Sequence, residues 1–153
     1  MVQALLFSFF VCITFFGSFL VVPILSTLLL FFHQLRWRIL IPLWIALLSS
    51  GLLVWIMKPL IARPRPSLPL IPETGYSFPS GHAAAVFTVY PFIRYAYPKY
   101  HFFWLAFAVL IAISRIYLHV HYVTDVLAGA FIGYTLGALV LYYWKKKYLK
   151  NKK

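Results

Sequence analysis

Three short stretches hold the residues able to do chemistry: MKPLIARPRP with Lys58, Arg63 and Arg65, FPSGHAAAVF with Ser80, Gly81 and His82, and SRIYLHVHYVTD with Arg115, His119, His121 and Asp125. Cations of this kind supply counter-charge to phosphate oxygens, and an imidazole with a free lone pair can attack phosphorus or carry a proton. Ser80 is a candidate N-cap, and Gly81 lets backbone approach a ligand. The N–H groups of that first turn and the helix dipole then face an anion, with His82 in the same turn. His121 and Asp125 are four apart, a spacing that puts both on one helix face. There the carboxylate can accept from the ring Nδ1–H and leave Nε2 outward as nucleophile or base. His119 lacks such a partner and reads as an interfacial histidine. Pro59 is expected to end a helix at Lys58, and Pro64 and Pro66 to stiffen a loop that presents the two arginines.

Singly these pieces have plainer explanations: PSGH as a tight turn before a helix, Lys58 as a snorkelling interfacial lysine. Jointly they supply a cationic cradle, a helix N-terminus and two histidines, which is equipment for phosphoryl transfer by covalent catalysis. The carboxylates number two, Glu73 and Asp125. A Mg²⁺ or two-metal site takes more oxygen ligands than these offer, so no metal and no other cofactor is expected.

The elements that must position these residues are membrane helices. Of 153 residues, 63% are hydrophobic, 20% aromatic and only 10% charged, with a mean hydropathy of +0.88. A soluble domain needs a more polar surface, and the apolar runs are long enough to cross a bilayer. The expected fold is all-α, a polytopic transmembrane helix bundle forming one domain over residues 1–153. Candidate spans are 4–32, 39–57, 83–98, 102–118 and 123–144, helical because a lone spanning segment must satisfy its own backbone. The first is long enough to kink at Gly17 or Pro23. Five spans are expected, or six if 4–32 folds into a hairpin near Gly17-Ser18. Ser80 extends the short third span if it caps it. Gly129, Gly133 and Gly137 recur every four residues and read as a face for close helix packing. Cys12 allows no intramolecular disulfide, and MVQALLFSFF lacks the basic start of a cleavable signal.

The net charge of +12 does not imply nucleic acid, because ten of the fourteen Lys and Arg fall in HQLRWR, RYAYPKYH and the basic tail 145–153. If the spans alternate, those three places share one side, which the positive-inside rule makes cytoplasmic. A second reading of the tail is contact with anionic head groups. Lys58, Arg63, Arg65 and Arg115 lie near the opposite face, where orientation disfavours cations, so an anion is the simplest reason for them.

In these motifs the sequence resembles the type 2 phosphatidic acid phosphatase family of membrane lipid phosphatases. The signature runs K-x6-R-P from Lys58 to Arg65-Pro66, P-S-G-H from Pro79 to His82, and S-R-x5-H-x3-D from Ser114-Arg115 through His121 to Asp125; the similarity covers about residues 15–144. The resemblance implies that His121 attacks phosphorus to form a phosphohistidine and that Asp125 orients it. It implies that His82 protonates the leaving oxygen and then activates water. Lys58, Arg65 and Arg115, with Ser80 and the Gly81 backbone, would hold the phosphate. Arg63 falls outside the pattern and is a candidate head-group contact, while Glu73 and Tyr76 read as loop residues near the site. Family members usually have six spans, one more than expected here.

The expected function is therefore hydrolysis of a lipid phosphomonoester or diphosphate at the outer face of the cytoplasmic membrane. Substrates implied by the resemblance are undecaprenyl diphosphate, phosphatidylglycerophosphate, phosphatidic acid and lipid A 1-phosphate. The expected partners are that lipid and the bilayer. Three rivals differ in what they predict: a lipid-to-lipid phosphotransferase with the same site, a heme or metal carrier using His82, His119 and His121, and a non-catalytic scaffold.

Overall fold

The computed structural model describes residues 1–32 and 36–149. Residues 33–35 of HQLRWR and 150–153 of the basic tail lie outside the described residues. Six α-helices follow in order: α1 (Val2–Phe16), α2 (Val21–Phe31), α3 (Arg36–Ile61), α4 (Gly81–Ala96), α5 (His101–Tyr117) and α6 (Val123–Trp144), with a π-helical turn at Lys145–Leu149.

The centre of the bundle is α4. Ala83, Ala84, Ala85 and Val86 are all buried, and four consecutive residues go once around a helix, so this helix is enclosed on every side. Its composition allows that enclosure. Small alanines fill its first turns, and α6 meets them with glycine: a Cβ on Gly129, Gly133 or Gly137 would collide with the carbonyl oxygens of Ser80, Ala84 and Thr88 respectively. The two helices thus touch backbone to backbone in matching steps of four residues, the geometry that small residues permit in membrane bundles. Thr88 completes the seam by donating to Ala84 O at 2.7 Å and contacting Ser50 Oγ at 3.0 Å.

The outer surface is apolar. Trp55, Leu60, Phe102, Phe103, Leu127 and Phe131 are all exposed, an arrangement stable against lipid tails and an aggregation liability in water. Among the described residues, α3 (Trp37–Ile61) and α6 with its continuation (Val123–Tyr148) are long and apolar enough to cross a bilayer, and the α1–α2 pair makes a third. The 16 residues of α4 and 17 of α5 lie at the short end of that length. Enclosed by its neighbours, α4 needs no lipid-matched length of its own.

The stretch 4–32 bends near Gly17, as expected: α1 and α2 meet at 64° over Gly17–Leu20. Gly17 packs closely on α5, where a Cβ would stand 2.5 Å from the Ile111 side chain, while Pro23 lies harmlessly in the first turn of α2. One boundary differs from expectation: helix α3 does not end at Lys58 but runs through Pro59 to Ile61. It stops at Ala62, which adopts a left-handed φ of 49° and donates its N–H to Lys58 O at 2.9 Å, the closure of an αL cap.

The chain direction gives the bundle two unlike ends. One gathers the end of α3, the starts of α4 and α6 and the end of α5. The other gathers the end of α4 and the end of α6, where Lys145 Nζ lies 4.2 Å over the Tyr95 ring. Helix α1 reaches the first end, with Phe10 against Tyr117 at 4.3 Å between ring centroids, and α2 leads to the second, where Leu29 O accepts from Tyr97 Oη at 2.8 Å.

Candidate active site

At the first end, Lys58, Arg65, Gly81, His82, Arg115 and His121 line a single cavity of about 620 Å³, together with Glu73. Each comes from a segment with a local reason to stop there. Ser80, extended at ψ 116°, is the N-cap of α4, and its Oγ accepts from the Ala83 N–H at 3.5 Å. Ser80 itself is buried, and its N–H donates to Asp125 O at 2.9 Å, which joins the start of α4 to the start of α6. Between α5 and α6 the chain turns through His119, whose φ of 54° is left-handed. The backbone N–H groups of Val120 and His121 both point at Arg115 O, at 3.3 Å each. That turn buries His121 and leaves His119 exposed.

Arg65 is held by backbone oxygens: NH1 donates to Val120 O at 2.8 Å, NH2 to Thr74 O at 3.0 Å and Nε to Gly75 O at 3.2 Å. Lys58 Nζ donates to Tyr76 O at 2.5 Å. Arg115 is almost wholly buried, with 1% of its side chain accessible, and a cation so placed needs partners. Its NH1 donates to Thr14 Oγ1 of α1 at 2.7 Å, and its NH2 pairs with Glu73. Glu73 Oε2 also stands 3.4 Å from Arg65 NH2. Against three cations this one carboxylate leaves the cavity wall positive, so an anion is attracted. Nε of Arg115 is buried without a hydrogen-bond partner among the described residues, a donor suited to an anion's oxygen.

His121 and Asp125 do come together, though not along a helix face. His121 precedes α6, and Asp125, at the third position of that helix, folds back so that Oδ2 accepts the Tyr122 N–H at 2.9 Å. The same oxygen lies 3.5 Å from His121 Nδ1, close enough for electrostatic contact and too long for a good hydrogen bond. Burial first, and then the charges of Arg115, Arg65 and Lys58, hold the His121 imidazole well below its ordinary pKa. At neutral pH the ring is uncharged, the form that a nucleophile needs.

Arg63, the candidate head-group contact, pairs with the start of α6. Its NH1 donates to Asp125 Oδ1 at 2.8 Å and to Thr124 Oγ1 at 2.6 Å, and its guanidinium lies 4.0 Å over the Tyr122 ring. Sequence reading also missed two residues. Glu73, taken as a loop residue, bridges Arg115 and Arg65; its scarcity value was the available signal, as one of two carboxylates in a chain of net charge +12. Thr14, buried in an apolar helix, gave no signal beyond being a hydroxyl where aliphatic residues dominate.

The far wall of the same cavity is apolar, formed by Phe19, Pro23, Trp44, Leu47, Leu52 and Trp55. One chamber therefore combines apolar walls with a cationic, imidazole-bearing end.

Comparison with known proteins finds one family. The family model described as PAP2 superfamily matches residues 39–149. Phosphatidylglycerophosphatase B of Bacillus subtilis (strain 168) is 40% identical over 124 residues, covering 72% of this chain and 60% of that protein. A lipid A 1-phosphatase of Rhizobium johnstonii is 30% identical over 60% of this chain and 42% of its own length. The chain thus spans about 40 to 60% of the length of these curated relatives. The crystal structure of Aquifex aeolicus LpxE superposes with a TM-score of 0.82 at 32% identity, covering 91% of this chain and 87% of that one.

Proposed function

The chain belongs to the PAP2 superfamily, and we propose that it is a membrane lipid phosphatase that cleaves a lipid phosphomonoester or diphosphate through a phosphohistidine. In this reading Nε2 of His121 attacks phosphorus, and the bond to the lipid oxygen breaks as His82 gives that oxygen a proton. Water then attacks the phosphohistidine, His82 takes the water proton, and inorganic phosphate leaves with His121 restored. Asp125 holds the His121 ring in the reactive tautomer. Lys58, Arg65, Arg115, Ser80 and the Gly81 backbone bind the non-bridging oxygens and the charge that develops on them.

The observation that carries the reading is the shared chamber: both imidazoles and three cations line the cavity whose other wall is apolar. A lipid can keep its chain against α2 and α3 while its head group meets the polar end. Relatives named for phosphatidylglycerophosphate, lipid A 1-phosphate and undecaprenyl diphosphate set the range of substrates to try, with phosphatidic acid beside them. The bent α1–α2 pair counts as one crossing, which makes five in all. The basic ends then lie in the cytoplasm and the site faces out from the cytoplasmic membrane.

Release of inorganic phosphate from this panel in detergent, by the unaltered chain and by His121→Ala, is the direct test. The unaltered chain is expected to release phosphate from at least one lipid and His121→Ala from none. No release from any of them, or equal release by both proteins, overturns the reading.

A further inference from the structure

The apolar and polar halves of the cavity meet at one side chain. Phe19 sits on the Gly17–Leu20 link where the first span bends, and it lines the cavity with its ring wedged between two helices. A Cβ on Gly51 of α3 would stand 2.9 Å from Phe19 Cε1, and one on Gly81 at the start of α4 would stand 2.9 Å from Phe19 Cε2. Both contacts exist because both positions lack a side chain. Gly81 adjoins His82, whereas Gly51 lies two helical turns below Lys58, among Leu47, Leu48 and Leu52. The ring thus stands where the atoms next to a bound phosphate must pass. With 41% of its surface accessible, it is not locked into the core.

We propose that Phe19 is a specificity-determining residue that gauges the width of the lipid segment adjoining the phosphate. The proposal rests on the lipid phosphatase reading and adds to it a choice among substrates. A single prenyl chain, or the slim glycerol between the two phosphates of phosphatidylglycerophosphate, passes the ring edge-on. Phosphatidic acid branches into two acyl chains within three carbons of its phosphate and meets the ring. The aromatic wall therefore favours narrow connections and disfavours diacylglycerol. Steric discrimination in an apolar pocket is worth about 10- to 200-fold in relative rate, so the effect is measurable.

The test compares kcat/KM for dioleoyl phosphatidic acid with that for farnesyl phosphate in the same detergent micelles. Phe19→Ala is expected to raise this ratio at least about tenfold over the unaltered chain, and Phe19→Leu to raise it part of the way. Gly51→Ala, whose new methyl displaces the ring, is expected to change the ratio when Phe19 is present and to leave it unchanged in the Phe19→Ala background. An unchanged ratio in Phe19→Ala overturns the gate, as does a Gly51→Ala effect that persists without the ring. If Phe19→Ala fails to elute as a folded protein, Phe19→Leu decides alone: an unchanged ratio overturns the gate. Absence of phosphate release by the unaltered chain from these two lipids and from every lipid of the panel above would instead remove the phosphatase reading beneath it.

Discussion

Asp125 has no accessible surface and sits in the first turn of α6, whereas Glu73 sits on the loop between α3 and α4 with 26% of its side chain accessible. Both pair with arginine, but the surroundings differ. Asp125 is fixed by its helix: Oδ2 takes the Tyr122 N–H, Oδ1 takes Arg63, and the Asp125 carbonyl takes the Ser80 N–H. Glu73 has no helix to hold it and reaches across the cavity to Arg115 and Arg65. A carboxylate bound into a helix cap can hold a ring steady through a reaction. One on a loop among the phosphate-binding cations stands where it competes with the incoming anion for the same donors. In the proposed reaction, positioning and charge balance are thus divided between the chain's two acids.

Replacements at the two acids should therefore change different kinetic constants. Asp125→Asn is expected to have the largest effect, lowering kcat about 10²- to 10⁴-fold with KM little changed, because the amide cannot fix the same tautomer. Steady-state kinetics on a lipid phosphate would show it, and a change confined to KM would break the contrast. Arg63→Ala should follow with a loss of about tenfold in kcat, acting through Asp125 alone. The double variant should show it: coupling of roughly 0.5–3 kcal/mol is expected, whereas simple additivity would detach Arg63 from Asp125. Glu73→Gln should act on binding and with the opposite sign. Inhibition by inorganic phosphate should tighten about three- to tenfold, the size of a charge interaction near 1 kcal/mol in a partly solvated site. Weaker inhibition would make Glu73 a brace for Arg115 and no competitor.

The smallest effect concerns pH. The folded chain keeps His121 uncharged where the unfolded chain protonates it, so stability is full above about pH 6.5 and declines as pH falls below that value. Thermal unfolding in detergent between pH 7.5 and 5 should show a decline of at most about 1.4 kcal/mol per pH unit from this group. His121→Ala should flatten that part of the slope.

The same two acids show what the sequence could and could not convey. Helices are periodic, and α5 and α6 begin and end within a residue or so of the apolar runs that announce them. The proximity of His121 and Asp125 was legible from their short separation in sequence, although a turn and a cap produce it in place of a helix face. Glu73 lies on a loop without period, and its partner Arg115 is 42 residues away, so no local spacing could reveal the pair. The pairing of Arg63 with Asp125 was not legible because a proline-stiffened loop gives the order of its arginines but not their directions. Pro59 failed as a stop signal since its missing N–H costs one bond, near the end of a helix that runs on only as far as Ile61. Phe19 looked like one more aromatic residue in an apolar run until Gly51 and Gly81 were brought against it.

The central claim is that His121 carries the phosphoryl group. Mixing the chain with a lipid phosphate labelled in its phosphoryl group, quenching in alkali within one turnover and digesting the protein tests this directly. An acid-labile, alkali-stable label on the peptide containing His121, absent from His121→Ala, is the predicted result. Phosphate release with no labelled peptide, or a label that survives in His121→Ala, would contradict it.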